Sequence, residues 1–310
     1  MTKVAVVFPG QGSQSVGMMA GWDDHPVVRE TFDEASEALG DDLWALVTDG
    51  PAEALNLTTN TQPVMLTAGV AAWRAWHAAG GATPLVVAGH SLGEYSALVA
   101  AGALAFRDAV PLVRFRAQVM QEAVPPGVGA MAAILGGDDA AIADACREAA
   151  QGEIVEAVNF NSPGQVVIAG HRAAVERAIE AARARGAKRG MLLPVSAPFH
   201  SSLLKPAAER LAARLAQVAF QVPTLPLLHN VDVAEHRTPD AIRAALARQA
   251  ASPVRWTDTV RAIAARGVTD VIEAGPGRVL AGLARKIDGA LKVHALTDGH
   301  ALADARAALG

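Results

Sequence analysis

Cysteine is almost absent from this 310-residue chain: Cys146 stands alone, so no disulfide can form within it. It lies in Asp144-Ala145-Cys146-Arg147, on an expected amphipathic helix, and reads as a small buried hydrophobe rather than a reactive thiol. Aromatic residues make up only 4% of the chain against 51% hydrophobic residues overall, so Ala, Val and Leu must fill most of the core. No run approaches the ~18 apolar residues of a membrane-spanning helix. The opening Val4-Ala5-Val6-Val7-Phe8 is too short for a signal peptide. A basic surplus is missing too: 27 Lys and Arg against 31 Asp and Glu leave a net charge of −4. Such a chain has little with which to neutralise a nucleic-acid backbone. The expectation is a cytoplasmic monomer with no membrane and no nucleic acid among its partners.

What is present is an alternation of strand and helix. Val4 to Phe8 reads as a buried strand closed by Pro9-Gly10-Gln11-Gly12-Ser13-Gln14. Residues 51–76 follow helical spacing, with a break expected near Thr58-Thr59-Asn60 and Pro63. Leu85-Val86-Val87-Ala88 is a second strand, followed by helices over 93–101 and 107–123. This order predicts a parallel sheet with helices on its faces. After Pro125-Pro126-Gly127 the rhythm becomes strand 129–135, helix 138–150, strands 153–159 and 165–169, helix 171–185 and strand 190–195. That βαββαβ order is the ferredoxin-like arrangement. The α/β pattern then resumes with helix 201–217, strand 226–229, helices 239–248 and 257–266, strand 270–273 and helix 278–287. The fold class expected is α/β. A large α/β-hydrolase-like domain (1–125 and 197–310) carries an inserted ferredoxin-like subdomain (126–196).

Strand 85–88 runs into Gly89-His90-Ser91-Leu92-Gly93-Glu94 and then a helix, the context of a nucleophile elbow. Glycines on both sides permit a sharp turn, and a serine at a helix N-terminus is favoured where negative charge develops. The Leu92 N–H is placed to serve as an oxyanion donor. A serine needs a base. His90 adjoins Ser91 and points elsewhere, which makes it a poor base. His25, His77, His171, His236 and His300 sit in polar surroundings, and His229 and His294 lie at strands. His200, in Ser196-Ala197-Pro198-Phe199-His200-Ser201, stands where the two domains rejoin, and clefts between domains favour sites. A carboxylate to orient it is harder to find: Asp232, Glu235 and Glu273 are candidates without strong context. Arg116 lies on a helix after the elbow and reads as solvated unless it faces the cleft, where it could hold a carboxylate.

Taken together, Gly10-Gln11-Gly12-Ser13-Gln14, Gly89-His90-Ser91-Leu92-Gly93-Glu94, Phe115-Arg116, Asn159-Phe160-Asn161-Ser162-Pro163-Gly164-Gln165, Ser196 to Ser201 and Glu273-Ala274-Gly275-Pro276-Gly277 resemble the malonyl-CoA:acyl carrier protein transacylase family of fatty acid synthesis. Its relatives are the acyltransferase domains of polyketide synthases. The resemblance implies that Ser91 carries the acyl group and His200 is base and acid. It also implies an oxyanion hole from the Gln11 and Leu92 N–H groups. A main-chain carbonyl near Gln249 takes the place of the triad acid, Arg116 holds the malonyl carboxylate, and Asn161 supports the site with His90 nearby. Phe199 resembles the malonyl-selective form of its segment and would crowd a 2-methyl branch. The resemblance implies malonyl-CoA as substrate and a phosphopantetheine-bearing acyl carrier protein as partner, with no cofactor or metal of the enzyme's own. An acidic carrier would dock on a basic patch, either Arg183 to Arg189 or Arg285-Lys286. Three readings compete: a serine esterase or thioesterase, a docking subunit without catalysis, and the same transfer serving a polyketide synthase or malonate decarboxylase.

Overall fold

Two sheets divide the chain, which the computed structural model describes over residues 3–195 and 197–309. Ser196, at the expected domain junction, lies outside the described residues, as do the chain ends. The first stretch runs β1 (Val4–Phe8), α1 (Pro26–Leu39), α2 (Leu43–Thr48), α3 (Ala52–Leu55), α4 (Thr58–Ala78), β2 (Val86–Gly89), α5 (Gly93–Ala100) and α6 (Phe106–Glu122). A middle stretch follows with β3 (Gly129–Leu135), α7 (Asp139–Ala150), β4 (Val155–Ser162), β5 (Gln165–His171), α8 (Arg172–Ala184) and β6 (Arg189–Leu192). A 3-10 turn at Ser202–Leu204 then leads into α9 (Lys205–Leu215), β7 (Leu227–Leu228), α10 (Pro239–Gln249) and α11 (Trp256–Ala265). The chain closes with β8 (Asp270–Ala274), α12 (Val279–Ile287), β9 (Lys292–Leu296) and α13 (Gly299–Leu309).

The first and last stretches share a five-stranded sheet in the order β7-β2-β1-β8-β9, with every pair parallel. Helices cover both of its faces, so its central strands are apolar throughout instead of alternating. Within β1, Val4, Val6 and Phe8 feed one core while Ala5 and Val7 feed the other. The middle stretch forms a four-stranded antiparallel sheet, β4-β5-β3-β6, packed on α7 and α8 through Ile134, Val166, Ile168, Val175 and neighbours. The two sheets are stitched together at Val254, whose main chain exchanges bonds with Val158 and Phe160 of β4 (2.8 and 3.0 Å).

Several expectations shift. Thr58-Thr59-Asn60 does not interrupt a helix: it begins α4, which continues through Pro63. Proline near the start of a long helix removes a single backbone bond, and tertiary burial of α4 outweighs that loss. Helix 201–217 opens as the 3-10 turn, strand 190–195 ends at Leu192, and α1, α2, β9 and α13 are additional to the elements expected from the sequence. Cys146 is buried, and burial pushes its thiol up to about 12, well away from the thiolate.

Candidate active site

The turn between β2 and α5 is built on two glycines that nothing larger could replace. A Cβ at Gly89 would fall 1.9 Å from the Gly93 main chain, and one at Gly93 would fall 2.1 Å from the Phe8 carbonyl oxygen. Between them Ser91 adopts φ of 50°. That left-handed conformation costs a non-glycine residue about 1–2 kcal/mol, so something must hold it. Two side chains do. The Ser91 N–H donates to Asn230 Oδ1 at 2.7 Å, and the Ser91 carbonyl accepts from Gln249 Nε2 at 2.9 Å.

His200 arrives from the other side, itself at φ of 66° and 3% exposed. Its Nε2 lies 2.7 Å from Ser91 Oγ, and its Nδ1 lies 2.9 Å from the Gln249 main-chain oxygen. A carbonyl can only accept, so Nδ1 carries the proton and Nε2 is free to accept from the serine hydroxyl. Burial pulls the imidazole down to about 3, and the Arg116 cation adds to that; the bond to Gln249 opposes it only partly. The ring is therefore neutral, with the free Nε2 lone pair facing the serine hydroxyl. None of the three candidate carboxylates reaches it. Asp232 is engaged by His236 and Arg248, and Glu235 by Arg237 and Arg266. Glu273 accepts the Leu280 and Ala281 N–H groups at the start of α12. The orienting group is a main-chain carbonyl, and no side-chain pattern announces one.

Arg116 is 1% exposed and faces the cleft. One terminal nitrogen donates to Gln62 Oε1 at 2.8 Å, the other to Gln249 Oε1 at 2.9 Å and to Ser91 Oγ at 3.2 Å. Its guanidinium carbon lies 5.4 Å from the Tyr95 ring centre. Burial lowers its pKa from a starting point so high that it remains a cation. Its Nε has no protein partner among the described residues. Ser91, His200 and Arg116 thus meet in one cavity of about 730 Å³, also lined by Gln11, Leu92, Phe199, Met131, Asn159 and Val195.

Gln249 and Asn161 stand behind this wall instead of in it. Gln249 acts through Arg116 and Ser91, while Asn161 Oδ1 lies 2.8 Å from His90 Nε2, and His90 borders the cavity. Burial lowers the His90 pKa, favouring its neutral form. Arg183 is paired with Glu180 and Arg185 with Glu148, whereas Arg285 and Lys286 are exposed on α12. Sequence reasoning missed Gln62, Asn159, Asn230 and the placement of Glu94. Asn230 carried a readable signal: it lies two residues past the end of β7, and sites in parallel α/β sheets gather where strands end. Among the described residues no cluster of His, Cys, Asp and Glu has the makings of a metal site, and no helix is long and apolar enough to cross a membrane.

The acyl transferase domain family matches residues 5–293 of the chain. The malonyl CoA-acyl carrier protein transacylase of Escherichia coli K12 is 58% identical over 306 residues, covering 98% of this chain and 99% of that one. The solved acyl-carrier-protein S-malonyltransferase of Burkholderia pseudomallei 1710b superposes with a TM-score of 0.97 at 61% identity, covering 99% of this chain and all (100%) of the other. A malonyl-transacylase solved in complex with its type II PKS acyl-carrier protein superposes at 0.98 with 53% identity, over 99% and 100% of the two chains. The chain belongs to the acyl transferase domain family and, within it, groups with the malonyl CoA-acyl carrier protein transacylases.

Proposed function

We propose that this enzyme moves malonyl from malonyl-CoA to the phosphopantetheine thiol of an acyl carrier protein, through an ester on Ser91. The observation that carries the reading is Arg116: a buried cation 3.2 Å from a serine oxygen that is itself 2.7 Å from a neutral imidazole. A short acyl group esterified to Ser91 Oγ and ending in a carboxylate would keep that carboxylate within reach of the guanidinium.

In the first half-reaction His200 Nε2 takes the Ser91 proton as Oγ attacks the thioester carbonyl. The C–S bond breaks and the CoA sulfur leaves with that proton. In the second half the carrier thiol gives its proton to His200 and attacks the ester, and Ser91 Oγ regains the proton. The oxyanion of each tetrahedral intermediate points at the Leu92 and Gln11 N–H groups. Around the elbow, the N–H groups of Ser91, Gly93, Glu94 and Tyr95 are bound to Asn230, His90, Ser91 and Leu92, which leaves that of Leu92 for a ligand. Removing one such donor typically costs ~3 kcal/mol of transition-state stabilisation. Acetyl would leave the Arg116 cation unpaired in its buried site, and such a loss discriminates strongly. Phe199 lines the cavity and would crowd a branched chain. All charge is handled by these side chains and N–H groups, so the transfer calls for no cofactor or metal of the enzyme's own.

The strand order β4-β5-β3-β6 in a βαββαβ run supports a ferredoxin-like subdomain over 126–196. It is inserted into an α/β-hydrolase-like domain made of 1–125 and 197–310. The carrier's acidic surface would meet Arg285-Lys286 more readily than Arg183 to Arg189, where two cations are already paired. Gly277, one residue before the exposed Arg278, lies close to Ser13, whose neighbours Gly12 and Gln14 line the cavity. A cytoplasmic monomer serving fatty acid synthesis fits these features. The structural similarity to a type II PKS transacylase keeps polyketide carriers as a second class of acceptor.

Intact mass after mixing with malonyl-CoA tests the reading. A malonyl adduct that appears on the wild type, is absent from Ser91→Ala and passes to added carrier protein is expected. No adduct on the wild type, or one that water clears faster than the carrier takes it, overturns the reading.

A further inference from the structure

Glu94 sits three residues after the nucleophile on α5, is fully buried, and touches neither Ser91 Oγ nor the cavity. Burying a carboxylate is costly unless its oxygens are fully engaged. Its oxygens are engaged by the groups that hold Ser91. Oε2 accepts from Gln249 Nε2 at 2.9 Å and from the Asn230 N–H at 2.9 Å; Oε1 accepts from His229 Nδ1 at 2.7 Å. Gln249 and Asn230 are the two residues whose side chains fix the carbonyl and the N–H of Ser91 in its left-handed conformation. Asn230 Nδ2 also donates to the Gly89 carbonyl at 2.7 Å, and the Gln249 amide oxygen accepts from Arg116 at 2.9 Å.

We propose that Glu94 is a positioning residue for Ser91 acylation: one buried carboxylate oxygen sets both clamps on the strained serine backbone and, through Gln249, the guanidinium of Arg116. This rests on the transacylase reading above. The elbow cannot relax into a commoner backbone conformation while both clamps are held, and both residues bond to the one oxygen, Gln249 through Nε2 and Asn230 through its main-chain N–H. Moving that oxygen lets Ser91 Oγ drift from His200 Nε2 and turns the Leu92 N–H away from the oxyanion. Misplacement on the scale of 1 Å costs on the order of 10²-fold in rate. Substrate contacts remain, because Glu94 contributes none.

The geometry also says which substitution rescues. In Glu94→Gln the amide oxygen can take the Oε2 place and accept from Asn230 and Gln249. The amide nitrogen then faces His229 Nδ1 and donates to it once the His229 proton moves to Nε2, an atom with no partner among the described residues. Glu94→Ala has no acceptor to offer.

The test measures the single-turnover rate constant for Ser91 acylation and the KM for malonyl-CoA, on full-length protein whose folding is checked by thermal unfolding. Glu94→Ala should acylate about 10²-fold more slowly with KM changed less than about threefold. Glu94→Gln should return to within about fivefold of wild type. A folded Glu94→Ala that acylates within threefold of wild type, a loss carried by KM, or a Glu94→Gln as slow as Glu94→Ala would each overturn the proposal. If Glu94→Ala does not fold, Asn230→Ala decides. It removes the acceptor for the Ser91 N–H, and slow acylation at unchanged KM supports the clamp while wild-type acylation overturns it. Wild type measured alongside keeps the two readings apart, since its adduct upholds the transacylase reading whichever way the variants fall.

Discussion

The two units of the molecule bury different kinds of atoms. The smaller, antiparallel one has a core of Ala, Ile and Val with Cys146, and among its described residues Ser162 is the one buried polar side chain. The larger, parallel one buries Glu94, Arg116, His200, His229, Asn230, Gln249 and Glu273 among others. An apolar core needs only the right volume, whereas a buried polar network must satisfy every member. The large unit therefore holds the reacting atoms in one arrangement, while the small one supplies cavity wall through Met131 and Asn159 and a tie through Val254. Chemistry is concentrated on one side of the cleft.

Substitutions on the two sides should separate accordingly. Arg116→Ala should slow malonyl transfer by about 10²–10³-fold, the scale of losing two charge-assisted hydrogen bonds. Relative activity toward acetyl-CoA should rise. Met131→Ala, on β3 of the smaller unit, should change malonyl transfer by less than about tenfold, because it removes packing and no charge. Competition between the two acyl-CoAs, read by mass, checks both. Equal effects from the two sides would break the comparison.

A smaller effect is expected from pH. An imidazole whose protonation is held down to about 3 stays neutral from pH 8 to pH 5, so acylation should not lose its base across that range. The sign follows from burial: the charged form is disfavoured, so acid must go far below the ordinary histidine range before the base is lost. A kcat/KM profile for malonyl-CoA that falls with an apparent pKa between 6 and 7 would contradict the neutral, buried His200.

How much of this was legible from residues alone depends on what kind of signal each part sends. β1, β2 and β3 announce themselves as apolar runs bounded by Pro and Gly, and Ser91 lies between glycines whose close contacts are local. The βαββαβ order was readable because every element of it is short and bounded by turns. α1 and α13 fall outside the expected elements although each has an apolar stripe, and Pro63 does not break α4, because propensity says nothing of how deeply that helix is buried. The site divides in the same way. His200 could be ranked first among the histidines by its place where the two expected domains rejoin. Its orienting partner could not be found, because the Gln249 carbonyl is a backbone atom 49 residues away. Gln62, Asn230 and Glu94 are ordinary polar residues in sequence. Only folding shows that they converge on Arg116 and the Ser91 backbone.

The most direct test of the central claim is to locate the acyl group. Wild-type protein mixed with malonyl-CoA, quenched in acid and digested, should carry malonyl as an ester on the peptide containing Ser91 and nowhere else. A malonyl group found on another residue, or a Ser91→Ala variant labelled as fully as wild type, would contradict the account.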